Sequence, residues 1–469
     1  MQIASRSLPA RALLSPRRIG ALALAGLLAL APAAPASAQG RSLPVVRDAE
    51  VEALLRDYAT PIFRAAGINA QSTQIVLIAD RSFNAFVANG QRIFMNVGAI
   101  MDSETPNEVI GVIAHEAGHI AGGHLARLRQ EIATAQILSV VGMLAGAGAL
   151  VGASRSGDTI GNTGTGVSGI FAGGQELAMR NLLSYQRSEE QAADVAAVRY
   201  LTATRQSPMG KIRVFERFAD SGLFRTRALD PYLLSHPLPA ERIALLQRLA
   251  AESPYRDAKD PPALQARHDL ARAKLFGFVE RPETVLNRYP PHDNSLASRY
   301  ARSIVMHRTG RSSEALALID GLLAAQPNNP YFHELRGQVL LESARPREAV
   351  ASLRRAVQLA ENAMPIRTLY GQALIALGDG ASLEEAVRQL NVVTRREPDW
   401  PHAFRHLAMA YGRTGQIPLA ELATAEYHFA AGDHASARAQ ATRAMRGFTE
   451  GSPSWRRARD IAEFEPPRR

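Results

Sequence analysis

From residue 296 onward this 469-residue chain repeats itself, and no other feature restricts its fold as strongly. Ser303 and Ala315 are 12 positions apart, as are Gly337 and Ala349, Ala408 and Ala420, and Ala425 and Ala437. Gly371 and Ala386 are 15 apart, which predicts a three-residue insertion around Gly378-Asp379-Gly380. Units recur at about 34 residues, the length of a helix pair. Pro327 and Pro398 close two units, and Phe404, Leu407 and Tyr411 fall where large side chains are wanted. A helix pair cannot bury its apolar face alone, so such units stack, and the stack presents an extended concave surface to a protein partner. An ordinary helical bundle is the competing reading.

The other end reads as an address. Residues 1–18 carry Arg6, Arg11, Arg17 and Arg18 and no acid, residues 19–31 are apolar, and Ala36-Ser37-Ala38 has the small-x-small pattern of a cleavage point. These are the parts of a secretory signal peptide, cleaved after Ala38. The apolar run is shorter than the ~20 residues that span a bilayer. No Cys follows to take a lipid, so the mature chain is expected in a bacterial periplasm. The whole chain has no Cys, which excludes disulfides, thiol catalysis and Cys-ligated metals, and any metal site must use His and carboxylates. The net charge of +10 is carried almost wholly by Arg, since Lys211, Lys259 and Lys274 are the only lysines. No basic run is interleaved with aromatics, so this charge does not point to nucleic acid.

Between these ends, Val51, Leu54, Leu55, Tyr58, Ile62 and Phe63 predict an amphipathic helix over 45–65. Residues 73–97 read as strands, with Asn89-Gly90 as a hairpin turn between 85–88 and 92–95. A helix is expected to start at Thr105, with Pro106 in its first turn and Glu108 completing a capping box. Residues 132–154 are uncharged, residues 152–174 hold eight Gly, and a further helix is predicted over about 176–204.

The chemistry lies in His115-Glu116-Ala117-Gly118-His119, inside the helix that starts at Thr105. By residue frequency such a pentad is expected about 0.02 times in this chain, so chance is a poor explanation. His115 and His119 are four apart and share a helix face within reach of one ion. Neutral imidazole suits Zn²⁺, and Glu116 is placed to take a proton from a metal-bound water. Two histidines leave a tetrahedral ion one protein ligand short. Glu190 and Asp194, also four apart, supply candidates for a third ligand and for an acceptor behind a ligand imidazole. Taken alone, that acidic run would read as a solvated helix face.

His115-Glu116-x-x-His119 followed by Arg187-x-x-Glu190-x-x-Ala193-Asp194 resembles the M48 family of zinc metallopeptidases over about residues 45–250, and the downstream units resemble tetratricopeptide repeats. The order of signal peptide, peptidase and repeats resembles the periplasmic branch of that family. The resemblance implies one Zn²⁺ per chain on His115, His119 and Glu190, Glu116 as general base and Asp194 behind the ligands. It implies outer-membrane β-barrel precursors as substrates and their assembly machinery as partner. Gln186 departs from a position that is often Ser in this pattern, but it is not a ligand position.

Other residues carry separate expectations. His236, in Ser235-His236-Pro237, is a candidate catalytic residue, either as a fourth ligand that excludes water or as a donor to the tetrahedral intermediate; a helix-capping role is the alternative. His124 follows His119 by five, about 140° around a continuous helix, and is expected at the surface. The Gly-rich stretch 152–174 reads as a lid over the cleft, and 132–154 as a possible peripheral membrane contact. The strand at 92–96 is expected at a sheet edge, open to an extended substrate.

The predicted architecture is an α+β zincin-like metallopeptidase domain, mostly helical with a small β-sheet, followed by an all-α tetratricopeptide-repeat solenoid. Its expected divisions are a signal peptide (1–38), peptidase (39–255), helical connector (256–295) and repeats (296–460). The expected function is that of a periplasmic zinc endopeptidase in outer-membrane protein assembly or quality control. A repeat-based chaperone or scaffold with a latent, self-inhibited metal site is one alternative, and an integral membrane peptidase spanning at 132–154 is another.

Overall fold

Four short apolar segments, β1 (Val45–Val46), β2 (Gln74–Ile78), β3 (Ala85–Ala88) and β4 (Arg92–Asn96), pair into one sheet of order β1-β2-β4-β3. The computed structural model describes residues 44–88, 91–134, 136, 163–220, 236 and 240–466. β3 and β4 are antiparallel neighbours, with the Asn89-Gly90 turn itself outside the described residues. β4 also pairs in parallel with β2, Ile75 opposite Ile93. The strand predicted at an edge is therefore central. Its four residues Ile93–Asn96 are all buried, and the edge falls to β3. Sequence spacing shows the hairpin, but only the long-range β2–β4 pairing decides which of its strands is covered.

Helix α1 (Ala49–Ala65) starts where Asp48 accepts from Val51 N–H at 2.9 Å. Its predicted face, from Val51 to Phe63, joins Leu77, Ile93 and Met95 in the first core. Each such side chain contributes about 1.5–3 kcal/mol on burial. After α2 (Val97–Asp102) comes α3 (Pro106–Gly122), whose residues Pro106–Gly118 are all buried. A helix covered on every side is the centre of its domain. The predicted capping box does not form: Thr105 makes no capping hydrogen bond, and Glu108 instead accepts from Glu104 N–H and pairs with Arg213 and Arg217. The nearby guanidinium groups, brought in by a later helix, outcompete the local cap for this carboxylate.

A helix over 124–134, here α4, follows α3. Helix α5 (Thr163–Ala203) is 41 residues long and starts well before the predicted 176. Residues 163–174 of the predicted lid are thus its first turns, while 152–162 lie outside the described residues. Each glycine in those turns costs the helix about 1 kcal/mol relative to alanine. Most of the uncharged run 132–154 is likewise outside, as is the predicted signal peptide. Among the described residues no helix is long and apolar enough to cross a membrane.

Helices α6 (Met209–Asp220) and α7 (Ala240–Ala251) close the first core over α3 and α5. Helix α8 (Pro262–Val279) belongs to two cores: Ala271, Leu275 and Phe276 face the first, and Leu270 faces the second. After α9 (Pro282–Arg288) the chain runs as helix pairs: α10 (Leu296–Arg308) with α11 (Ser312–Ala325), α12 (Pro330–Glu342) with α13 (Pro346–Leu359), α14 (Met364–Leu377) with α15 (Gly380–Arg396), α16 (Pro401–Arg413) with α17 (Ile417–Ala430), and α18 (His434–Met445) with α19 (Pro453–Ala462). The residues that show the repeat are the crossing points. A Cβ on Gly337 would overlap Leu353 of α13, and one on Gly371 would lie 2.8 Å from Leu390 Cγ of α15.

The insertion near Gly378 lengthens a helix and not a loop. α15 has 17 residues where α11, α13 and α17 have 14, and Asp379 caps its start through Ser382 N–H at 2.9 Å. The fifth spacing is out of phase, because Ala425 and Ala437 lie on α17 and α18, across two units. The last pair instead buries Ala441 and Ala458.

The repeats return to the start of the domain. Lys274 on α8 lies 2.8 Å from Asp48 and 3.3 Å from Glu334 of α12. Arg47 bonds Glu52 and Glu397 at 2.6 Å each and stacks 4.6 Å over the Trp400 ring.

Candidate metal centre

The helix period places His115 and His119 on one face of α3, and a close helix crossing brings α5 to them. A Cβ on Gly118 would lie 2.9 Å from the Ala193 carbonyl oxygen, so glycine between the histidines permits the approach. Glu190, one turn before Asp194, then reaches both rings. Its carboxylate lies 3.3 Å from His115 Nε2 and 3.2 Å from His119 Nε2. The two Nε2 atoms are 3.1 Å apart.

His236 arrives from the segment before α7. Its Nδ1 is 3.3 Å from His115 Nε2 and 3.1 Å from Glu190. Its Nε2–H donates to the Ala85 carbonyl at 3.0 Å, which turns Nδ1 toward the cluster. The structure thus brings together His115, His119, Glu190 and His236, with one donor atom from each within 4.8 Å of the others. Ligands of a tetrahedral zinc with bonds of about 2.0–2.1 Å are about 3.3 Å from one another. With Glu190 Oε1 as the carboxylate donor, four of the six separations are 3.1–3.3 Å, so the donor set suits zinc in chemistry and lies near its spacing.

Asp194 lies behind this set, 3.0 Å from His115 Nδ1, beside the nitrogen on which a ligand imidazole must carry its proton. Two cations that sequence reasoning missed hold the acids in place. Arg242 of α7 donates to Asp194 at 2.7 and 3.0 Å and lies 2.9 Å from Glu190. Lys211 of α6 lies 2.7 Å from Asp194. Both cations are buried. One signal was available: in a chain that is otherwise almost all Arg, two of the three lysines, Lys211 and Lys274, are buried against carboxylates. A compact ammonium with three donors suits such a point site.

The electrostatics follow from this packing. Burial, helped by Lys211, pushes His115 down to about 3 and keeps it neutral, as a metal ligand must be. Burial opposes ionisation of Glu190, but His236 and the hydrogen bonds from the three histidines hold its carboxyl well below the usual range. Burial works against Asp194 too, and Lys211 with His115 and Arg242 holds it low. Burial would lower His236, yet Glu190 and Glu116 raise it to about 9. Glu116 is fully buried, and neither oxygen has a hydrogen-bond partner among the described residues. Burial pushes its carboxyl up. His236 Nε2 is 3.5 Å from it.

His124 is not at the surface. It is 7% exposed, with Nδ1 2.9 Å from His119 Nδ1 and Nε2 2.7 Å from Glu189. The 140° estimate assumed one continuous helix. α3 instead ends at Gly122, and Gly123 adopts a left-handed φ of 67° before α4 begins. That break folds His124 back over the last turn, where a Cβ on Gly122 would overlap its ring.

The region around this site matches the model of peptidase family M48 over residues 45–250. The chain is similar to the β-barrel assembly-enhancing protease of Yersinia pestis, 24% identical over 395 residues, covering 80% of this chain and 75% of the relative. The protein of the same name from Escherichia coli K12 is 24% identical over 378 residues, covering 79% and 73%. Metalloprotease LoiP of E. coli K12 is 32% identical over 189 residues, 39% of this chain and 66% of that protein.

Proposed function

Because residues 45–250 match the model of peptidase family M48, we propose that this protein is a periplasmic zinc endopeptidase acting in the assembly or quality control of outer-membrane β-barrel proteins. The observation that carries the reading is the set of four donor atoms, one from each of His115, His119, Glu190 and His236, within 4.8 Å of one another. His115, His119 and Glu190 would hold one Zn²⁺, with Asp194 orienting His115. Zinc in such a site supplies a Lewis acid that polarises a carbonyl and makes water acidic near neutral pH. Glu116, whose carboxyl is raised by burial, takes a proton on a side-chain oxygen and returns it to the leaving amine.

His236 supports a closed resting state, since its Nδ1 stands where a fourth ligand would be. It also occupies the rim of the sheet. Asn84 O accepts from Asn96 N–H at 2.9 Å, so the next carbonyl of β3, that of Ala85, points to the open side. His236 takes that acceptor. An extended substrate adding to β3 would need the same acceptor, so substrate and closed state compete. Unpaired strand edges are what a misassembled β-barrel offers, and both long-range relatives carry β-barrel assembly in their names. The stacked repeats give a docking surface for the substrate or the assembly machinery.

The test uses the purified mature chain. Elemental analysis should find one zinc per chain, and an unfolded outer-membrane β-barrel protein should be cleaved. Glu116→Gln should keep the zinc and lose about 10²–10⁴-fold in rate. No metal uptake, or an intact rate in Glu116→Gln, refutes the reading.

A further inference from the structure

We propose that His124 and Glu189 form a hydrogen-bonded relay that fixes the tautomer and orientation of His119, making them positioning residues for the metal centre. The inference rests on His119 being a ligand and goes on to say what holds it there.

The argument is one of proton placement. His119 points Nε2 at Glu190 and His115, 3.2 and 3.1 Å away, and a metal on that atom requires the ring proton on Nδ1. His119 Nδ1 is 2.9 Å from His124 Nδ1. If His119 donates, His124 must accept on Nδ1, so its own proton is on Nε2. That atom is 2.7 Å from Glu189 Oε2, an acceptor. With a metal on His119 Nε2 and His124 neutral, one tautomer assignment satisfies every contact, running from His119 through His124 to Glu189. The reverse assignment would leave two N–H groups facing each other or a bare imidazole nitrogen against a carboxylate. Arg127 completes the outer end, donating to Glu189 at 2.8 Å.

Each ligand imidazole then has its own acceptor. Asp194 meets His115 directly at 3.0 Å, whereas the acid serving His119 acts through a second ring set at 87° to the first. The helix break makes the relay possible, because Gly122 leaves room for the His124 ring and Gly123 turns the backbone. Adjacent residues of α5 divide the work, since Glu190 reaches the ligand set and Glu189 the relay.

Partners behind ligands of this kind typically change metal affinity by about 10–100-fold. His124→Phe keeps the ring and removes the acceptor. Zinc affinity, measured by competition with a chromogenic chelator, should fall about 10–100-fold. Melting of the metal-free protein should stay within a few degrees of wild type. His124→Asn can accept on Oδ1 and donate from Nδ2, and should recover most of the affinity. Glu189→Gln keeps an acceptor without its charge and should lose less than His124→Phe. In the cobalt-loaded protein, His124→Phe should shift the visible d–d bands and His124→Asn should restore them. Zinc affinity in His124→Phe equal to wild type overturns the relay while leaving the metal site standing. So does an equal loss in His124→Asn and His124→Phe accompanied by a lower melting temperature without metal, which marks a packing role. Failure of the wild-type chain to bind zinc refutes instead the reading on which the relay rests.

Discussion

Replacing Arg242 by Met removes the cation shared by the two acids of the metal centre. Arg242 and Asp194 are both fully buried, and three contacts of 2.7, 2.9 and 3.0 Å join the guanidinium to Asp194 and Glu190. In the metal-free protein, Lys211 and Arg242 are the two cations against Asp194 and His236 faces Glu190, so the substitution strips Asp194 of one of its two cationic partners and Glu190 of one of its own. Charge-assisted hydrogen bonds contribute about 1.5–3 kcal/mol each. Met fills part of the volume and regains apolar burial, and removal of one partner of a buried pair typically costs about 3–5 kcal/mol. That cost equals about 10²- to 10³·⁵-fold in an opening equilibrium. The assay is hydrogen exchange at the α5 amides in EDTA. Fluorescence would miss the effect, because both tryptophans, Trp400 and Trp455, lie in the repeats. A cycle with Asp194→Asn should show coupling of about 2 kcal/mol or more, since groups in one network are not additive. Zinc places positive charge beside Glu190 and should shrink the loss. Exchange accelerated by less than tenfold in Arg242→Met, or simple additivity with Asp194→Asn, would refute the view that this network holds α5 and α7 on the site.

Three further outcomes are expected. His236→Ala should keep zinc on its remaining three ligands and cleave an unfolded barrel protein several-fold faster; a slower rate with zinc retained would instead make His236 a donor in the reaction. Gly118→Val should push α5 from α3, because a Cβ there lies 2.9 Å from Ala193 O. A cost of about 1–3 kcal/mol and weaker zinc binding are expected together, and unchanged affinity counts against the close crossing. His268 is fully buried, 3.1 Å from Tyr58 Oη, with Nε2–H donating to Ser103 O at 2.9 Å. Burial lowers it to about 4, so between pH 6.5 and 4 the unfolded chain binds the extra proton. Stability contributed by the neutral ring is therefore present above pH 6.5 and lost towards pH 4, by about 3 kcal/mol. Denaturation of His268→Gln at pH 7.5 and 5 should show a shallower acid loss than wild type, and parallel losses would exclude His268 as the source.

Part of this protein is local in sequence and was legible there. The helix pairs show in the small residues at their crossings, because a crossing leaves no room for a larger side chain. His115 with His119, and Glu190 with Asp194, show through a spacing of four, because one helical turn puts such residues on one face. Contacts between distant segments left no such mark. The chain carries no periodic sign that Lys211 and Arg242 would meet Asp194, because a buried acid needs only a cation near it in space. His124 was misplaced because two glycines end the helix on which its direction was reckoned. The covered and open strands of the hairpin were exchanged because β2, more than a dozen residues upstream, decides which is the edge. Sequence alone determined which side chains could share a helix face. The tertiary structure decided which faces meet, because in a desolvated interior charges and donors take their partners by distance through space, whatever their order along the chain.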